Sequence, residues 1–269
     1  MSYVFDPSNW EWLISENNLR FLLEGFVVNL EIAAIAIVFS LAFGLLLALA
    51  RLSRLRPLSI AAGAWVDLWR NLPLLFIILY LALAMPPSWE EAYEDIVPAF
   101  FPEALQAGRV FAGILALVLY NSAVIAEIMR AGILSLDRGQ GEAAASLGLN
   151  YPQQLRYVIL PQGLRRMVPA TVSQLITLNK DTTLVTIIAI EEVMSHGRAL
   201  SSGFTAFIGG VPAPLLQVFI FIGFLFVITN LALSRLSRRL EIRERKRTGG
   251  VAGPVTGLED QVALATESR

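Results

Sequence analysis

Long apolar stretches separated by short polar segments dominate the pattern of this 269-residue chain. A helix needs about 20 mostly apolar residues to cross roughly 30 Å of hydrocarbon. Five stretches reach that length, at residues 26–50, 60–85, 110–129, 170–192 and 213–234, and polar residues interrupt the second and the fourth. The pattern therefore predicts an all-α, polytopic integral membrane protein with five transmembrane helices.

The composition supports the membrane class and excludes several others. Hydrophobic residues make up 55% of the chain and the mean hydropathy is +0.61, more than a soluble domain needs for its core. The absence of cysteine excludes disulfide frameworks and thiolate chemistry, and with one histidine we expect no metal site. A net charge of -1 argues against nucleic acid as a partner, so the lipid bilayer is the expected surrounding.

The distribution of basic residues predicts the orientation, because Lys and Arg accumulate in cytoplasmic loops. Basic residues cluster after the first, third and fifth spans, whereas segments 86–108 and 193–212 are poor in them. We therefore expect residues 1–25 outside, a transmembrane domain over 26–247 and a cytoplasmic C-terminus. Residues 248–269 are rich in Gly, Ser and Thr without an apolar period, which predicts a disordered cytoplasmic tail.

The predicted cytoplasmic loop 130–166 is longer than a tight helix connection requires, which is typical of a functional segment. Residues 142–147 (EAAASL) favour a helix, Gly148 is a natural helix end and Pro152 can start a second helix. The small alanine side chains permit close approach to a groove in a partner protein. The alternative is a helix that lies on the membrane surface.

The same loop carries Glu142-Ala143-Ala144, Gly148 and Leu160-Pro161 at a spacing that resembles the EAA signature of permease subunits of bacterial ABC importers, with Val158 in place of the usual Ile. Four further stretches resemble the polar-amino-acid branch of that family: residues 69–75 (WRNLPLL), 126–133 (AEIMRAGI), 138–140 (RGQ) and 180–184 (KDTTL).

This resemblance implies the type I ABC importer permease fold in a bacterial cytoplasmic membrane. The implied partners are a dimer of ATP-binding subunits, a second permease subunit and an extracytoplasmic amino-acid-binding protein. The EAA residues named above would couple the chain to the ATPase. ATP and Mg²⁺ would bind the partner, since this chain contains no G-x-x-x-x-G-K-[ST] sequence and is not expected to be an enzyme.

Ionisable residues inside the predicted fourth span are candidates for the substrate pathway. A charge at mid-membrane costs about 2.5–3.5 kcal/mol, so it needs a partner or a wet cavity. Lys180 could hold the carboxylate of an amino acid and Asp181 its ammonium, while the hydroxyls of Thr182 and Thr183 supply neutral hydrogen bonds. The alternative is a structural ion pair with another span.

The second span contains a proline that predicts a kink. Pro73 lacks an N–H and disfavours helix at the preceding residue, so Arg70 and Asn71 stand beside a break that can expose polar backbone to a ligand. The alternative is that Arg70 pairs with Asp67 or Glu127 and only holds the bundle together.

Two polar residues of the third span receive different interpretations. Asn121 lies near the centre of the span and is a further candidate for the substrate pathway. Glu127 lies three residues before Arg130, at helical pairing distance, and favours a structural role.

Three classes of function stay open at this level. The leading hypothesis is a permease subunit for a polar amino acid, with a lean toward glutamate, glutamine or aspartate. A secondary amino-acid transporter or channel subunit without an ATPase is the alternative. A membrane enzyme such as a lipid phosphatase is disfavoured, because its active site would need a cluster of catalytic side chains that the sequence does not offer.

Overall fold

The computed structural model describes residues 6–202 and 213–247, and within these residues the chain is helical without any strand. The helices are α1 (Glu16–Arg51), α2 (Arg56–Asn71), α3 (Leu74–Ala84), α4 (Pro87–Ile96), α5 (Glu103–Gln106), α6 (Arg109–Leu134), α7 (Arg138–Ser146), α8 (Tyr151–Gln154), α9 (Leu160–Asp181), α10 (Val193–Ser201) and α11 (Leu215–Arg247). Two 3-10 segments (Pro7–Ile14, Thr182–Ile188) and one π-helical segment (Leu155–Ile159) complete them. The all-α prediction is confirmed, and the predicted tail at 248–269 lies outside the described residues.

The number of membrane-crossing helices differs from the prediction of five. In the described part of the chain, α1, α6 and residues Leu215–Arg235 of α11 are long and apolar enough to cross a membrane. Helices α2 and α3 qualify only as a pair, bent by 101° at the break between them. The structure therefore has three candidate spans, or four with the bent pair, and five is not confirmed.

Residues 170–192 do not form the single helix that the hydropathy pattern predicts. Helix α9 ends at Asp181, and the chain continues as the 3-10 segment Thr182–Ile188. The hydroxyls of Thr182 and Thr183 each donate to the backbone carbonyl three residues earlier, at 2.8 and 2.9 Å. Such local bonds compete with the α-helical ladder. Lys180 is thus in the last turn of a helix and not in the middle of a span.

The predicted kink at Pro73 is confirmed and is a complete break. Leu72 has φ -87° and ψ 137°, the extended conformation that a following proline favours. The residues of α3, LLFIILYLALA, are almost entirely apolar.

The centre of the bundle is the pairing of α1 with α6, to which α9 is added. At Gly44 an added Cβ would come within 2.7 Å of Ile125 Cγ2, so only glycine allows these two helices to approach so closely. Gly163 of α9 does the same against α6, where an added Cβ would lie 2.9 Å from Ile133 Cα. The two glycines therefore set how closely α1 and α9 pack against α6.

Candidate functional site

Helix α7 is the centre of the predicted coupling loop, and its two ends have clear local causes. Asp137 caps its start, since Oδ1 accepts the N–H of Gly139 at 2.7 Å. Gly148 follows its end with φ 81°, a left-handed conformation that favours glycine. The N–H of Gly148 donates to the carbonyl of Ala145 at 2.9 Å. The predicted helix and turn are confirmed.

A second helix follows the turn, as predicted. Asn150 and Gln153 form a capping box with bonds of 2.9 and 3.1 Å, and Pro152 stands in the first turn of α8. Helix α8 continues through the π-helical segment into α9, and this segment ends two residues before Pro161. A widened turn beside a proline that lacks an N–H relieves its clash with the helix. The segment between α6 and α8 is therefore only residues 135–150.

The predicted coupling residues divide between the surface and the interior. Glu142, Ala143 and Gly148 are exposed, whereas Ala144 is buried. Leu160 and Pro161 are half-buried at the start of α9, after the π-helical segment, and not on α7. The exposed side of α7 therefore presents Glu142 and Ala143 to any partner.

One further exposed residue lies beside this surface. Leu147 is 81% exposed at the end of α7, between the small residues of the helix and Gly148. Its side chain is therefore on the same surface as Glu142 and Ala143.

Six of the seven candidate pathway residues lie at two helix breaks, and Asn121 lies within α6. Arg70 and Asn71 are exposed at the end of α2, and Asn71 Nδ2 donates to the Asp67 carbonyl at 2.7 Å. Lys180 is exposed and Asp181 is half-buried at the end of α9.

The structure brings these two breaks together. Helix α3, which follows the first break, packs against the 3-10 segment that follows the second. Leu72, at the first break, packs against an apolar cluster that contains Leu178, next to the second. The candidate pathway residues other than Asn121 are therefore in two groups that flank one core.

Thr182 and Asn121 are further from solvent than the sequence suggested. Thr182 is buried, and its Oγ1 accepts from Asn29 Nδ2 at 3.1 Å. Asn121 is fully buried, with Nδ2 donating to the Leu117 carbonyl at 2.9 Å and Oδ1 accepting from Gln174 at 2.8 Å. Thr183 is half-buried. The hydrogen bonds of Thr182 and Asn121 are thus to groups of this chain.

A buried polar cluster behind Thr182 was missed from the sequence. Glu192 is fully buried, and its Oε2 accepts from Asn29 Nδ2 at 3.0 Å. Its Oε1 accepts the N–H of Ser195 at 3.0 Å and caps α10. Asn29 Oδ1 accepts the N–H of Val193 at 3.0 Å. The only signal was Asn29 itself, a polar residue in an apolar span whose side chain needs buried partners.

A cluster of ion pairs lies where α1, α2 and α6 meet. The carboxylate of Glu127 accepts from Arg51 Nη1 at 2.6 Å and from Arg130 Nε at 3.1 Å. Arg51 Nη1 also lies 3.7 Å from Asp67 Oδ1. The predicted pair of Glu127 with Arg130 is confirmed. Among the described residues, Arg51 and not Arg70 forms the ion pairs with Asp67 and Glu127 that hold helices together.

The segment between α3 and α6 is folded over the bundle by its own hydrogen bonds. Tyr93 Oη donates to the Leu105 carbonyl at 2.8 Å, and Glu94 Oε1 accepts the N–H of Gly108 at 2.8 Å. Burial raises the pKa of Tyr93 to about 12, because the charged phenolate is disfavoured away from water.

Residues 40–246 match the family of binding-protein-dependent transport system inner membrane components, and the chain belongs to this family. The chain is 37% identical over 230 residues to the probable glutamine ABC transporter permease protein GlnP of Bacillus subtilis, covering 86% of this chain and 96% of the relative. It is 31% identical over 239 residues to the glutamate/aspartate import permease protein GltK of Escherichia coli, covering 87% and 98%.

A solved structure of an amino acid ABC transporter with histidines shares the fold, with a TM-score of 0.67 and 26% identity over 85% of this chain and 94% of that chain. An inward-facing structure of the MetNI methionine ABC transporter, at 20% identity, has a TM-score of 0.55 and supports the fold alone, over 82% of this chain and 95% of that chain. The resemblance to amino-acid ABC importer permeases is confirmed.

Proposed function

We propose that this chain is the permease subunit of an ATP-driven importer that moves a polar amino acid across a bacterial cytoplasmic membrane. The proposed substrate is glutamate, glutamine or aspartate, supported by the names of relatives that transport glutamine or glutamate and aspartate. ArtQ of Bacillus subtilis, at 29% identity, is named for arginine transport. Uptake of a basic amino acid by this chain would therefore correct the proposed substrate.

The proposed partners follow from the same class. A dimer of ATP-binding subunits supplies ATP and Mg²⁺ and performs the hydrolysis, and a second permease subunit completes the pathway. An extracytoplasmic binding protein delivers the amino acid. Uptake of the twenty ¹⁴C-labelled amino acids, measured one by one in cells with and without this chain, tests the substrate. Cells without this chain are expected to lose uptake of glutamine, glutamate or aspartate. If they take up all twenty amino acids as well as cells with the chain, the proposal is contradicted.

The observation that carries the proposal is the geometry of α7 and its turn. The helix presents Glu142 and Ala143 outward, and Gly148 turns the chain back with φ 81° immediately after it. A short exposed helix held between two bundle helices is suited to transmit a displacement from a cytoplasmic partner. A transporter without an ATPase has no need of it.

Replacement of Gly148 by valine is expected to abolish ATP-driven uptake while the chain is still inserted. A β-branched residue at positive φ is strained by about 1–3 kcal/mol, which displaces the turn behind α7. The measurement is the ATP-driven release of labelled amino acid from inside-out membrane vesicles that enclose the binding protein and the amino acid.

The matched pair of controls is Gly148→Ala and Gly141→Ala. Gly141 is also in the coupling loop but has an ordinary backbone conformation, and an added Cβ would only touch Ile159 Cδ1 at 3.9 Å. We expect Gly141→Ala to transport normally and Gly148→Ala to lose several-fold. Wild-type uptake by Gly148→Val would refute the coupling role.

The proposed orientation places the N-terminus outside and the C-terminus in the cytoplasm. Because the sequence has no cysteine, single introduced cysteines report it without background. Glu91 and Ser146 are both exposed, so Glu91→Cys and Ser146→Cys are comparable sites. An impermeant thiol reagent, applied to cells whose cytoplasmic membrane is intact and accessible from outside, should label position 91 and not position 146. The reverse pattern would invert the topology.

The proposed substrate pathway runs between the two helix breaks. Lys180 and Asp181 provide one cation and one anion at the end of α9, which matches the carboxylate and ammonium of an amino acid. Arg70 and Asn71 stand at the other break, and Thr183 lies beside Asp181. Thr182 and Asn121 contribute by holding the surrounding helices, since their hydrogen bonds are to this chain.

A further inference from the structure

Tyr151, the first residue of α8, reaches the corner between α1 and α2, which consists of residues 52–55. Its Oη donates to the Leu52 carbonyl at 2.9 Å, although the two residues are 99 positions apart. The guanidinium carbon of Arg54 lies 3.9 Å from the centroid of the same ring. One side chain therefore contributes a hydrogen bond and a cation–π contact to this corner.

The corner is itself fixed to the rest of the bundle. Arg51, immediately before it, pairs with Glu127 of α6 at 2.6 Å and approaches Asp67 of α2 at 3.7 Å. Ser59 Oγ of α2 donates to the Arg51 carbonyl at 2.8 Å. A displacement of the corner is therefore shared with α1, α2 and α6.

Elsewhere the coupling segment, residues 137–154, is attached to α9 by a hydrogen bond from Gln162 Nε2 to Gln140 Oε1 at 3.2 Å. A cavity of about 430 Å³ adjoins α7 and is lined by residues that include Leu52, Ile133, Leu136, Arg138, Gly141 and Tyr151. Ala144 is the buried residue of α7. Within the part of the chain that the structure describes, the side-chain hydrogen bond from this segment to the corner is that of Tyr151.

We propose that Tyr151 is a positioning residue of the transport cycle, which ties the coupling segment to the corner between α1 and α2. Helices α6 and α9 are joined to this segment through the backbone, so they follow its displacement without any side chain. Helix α1 is not directly continuous in the chain with the coupling segment, so its link to that segment is the noncovalent contact of Tyr151 with the corner. This inference rests on the proposed function, because it assumes an ATPase that displaces α7.

The test compares Tyr151→Phe, which removes only the hydroxyl, with Tyr151→Leu, which also removes the ring. Each variant is assembled with its ATPase and binding protein in proteoliposomes, and uptake of a mixture of the twenty ¹⁴C-labelled amino acids is divided by phosphate released. We expect this ratio to fall about threefold for Phe and about tenfold for Leu, with ATP hydrolysis within about twofold of wild type.

Tyr157 offers the matched control. It is 63% exposed, and its ring contact is with the neighbouring Arg156 at 5.6 Å. Tyr157→Phe and Tyr157→Leu should keep the wild-type ratio. Arg54→Ala combined with Tyr151→Leu should be no worse than Tyr151→Leu alone, because both changes break the same contact. If the double variant lowers the ratio by more than Tyr151→Leu alone, the two side chains do not act through one contact.

A purely structural role makes a different prediction. It would lower the amount of assembled complex, hydrolysis and uptake together and leave their ratio unchanged, and that result would overturn the inference. If the wild-type complex couples hydrolysis to uptake and the Tyr151 variants keep the wild-type ratio, the role of Tyr151 is refuted and the proposed function still stands. A wild-type complex that hydrolyses ATP and imports none of the amino acids would refute the proposed function and this inference with it.

Discussion

Lys180→Met and Asp181→Asn should each lower amino-acid uptake by about ten- to a hundredfold, since a hydrogen bond to a charged group contributes about 1.5–3 kcal/mol. Among the described residues neither side chain has an ion-pair partner within 4.0 Å, and Lys180 is exposed. Their loss therefore leaves no charge unpaired in the fold. Assembly with the ATPase and basal ATP hydrolysis should stay near normal, measured by co-purification and phosphate release.

The control is Glu191→Gln, which removes an exposed acid ten residues further along the chain. It should transport normally if the pathway lies at the end of α9. If the complexes with Lys180→Met or Asp181→Asn are not recovered from detergent, these residues have a structural role. Normal accumulation by either variant would remove that residue from the pathway.

The second large effect concerns stability, at the buried cluster of Asn29 and Glu192. Asn29→Leu leaves a carboxylate oxygen of Glu192, the hydroxyl of Thr182 and the N–H of Val193 without the amide that now contacts them. Each unsatisfied buried group costs about 1–3 kcal/mol, so the three together cost about 3–9 kcal/mol and we expect little folded protein. The midpoint of thermal unfolding in detergent is the measurement.

Two further variants separate the cluster from a general effect of substitution. Thr177→Ala removes an exposed hydroxyl that bonds within its own helix at 3.3 Å, and it should leave the midpoint unchanged. Asn29→Leu combined with Glu192→Met replaces both partners by apolar groups and should recover part of the loss. A single Asn29→Leu variant as stable as wild type would show that the cluster does not hold α1 to α10.

Local signals in the sequence were sufficient for several features. The break at Pro73, the end of α7 before Gly148 and the start of α8 beside Pro152 all depend on the backbone preferences of one or two residues. The pair of Glu127 with Arg130 depends on helical spacing alone. These features were predicted because each is decided within a few residues of chain.

The end of α9 was not predicted because hydropathy averages over a window. Residues 182–190 are apolar enough to extend a span, so the pattern over 170–192 reads as one helix. Only the structure shows that the hydroxyls of Thr182 and Thr183 bond within a 3-10 segment and that this segment packs on α3. That change moved Lys180 and Asp181 from mid-span to a helix end.

The sequence by itself determined the helical membrane class, the break at Pro73 and the helix end at Gly148, since apolar period, proline and glycine act locally. Only the tertiary structure decided which polar residues meet. Asn29 and Glu192 are 163 positions apart, Tyr151 and Leu52 are 99 apart, and Arg51 rather than Arg70 reaches Glu127. A buried polar side chain must find a partner, but any of several distant residues could supply it, and helix packing makes the choice.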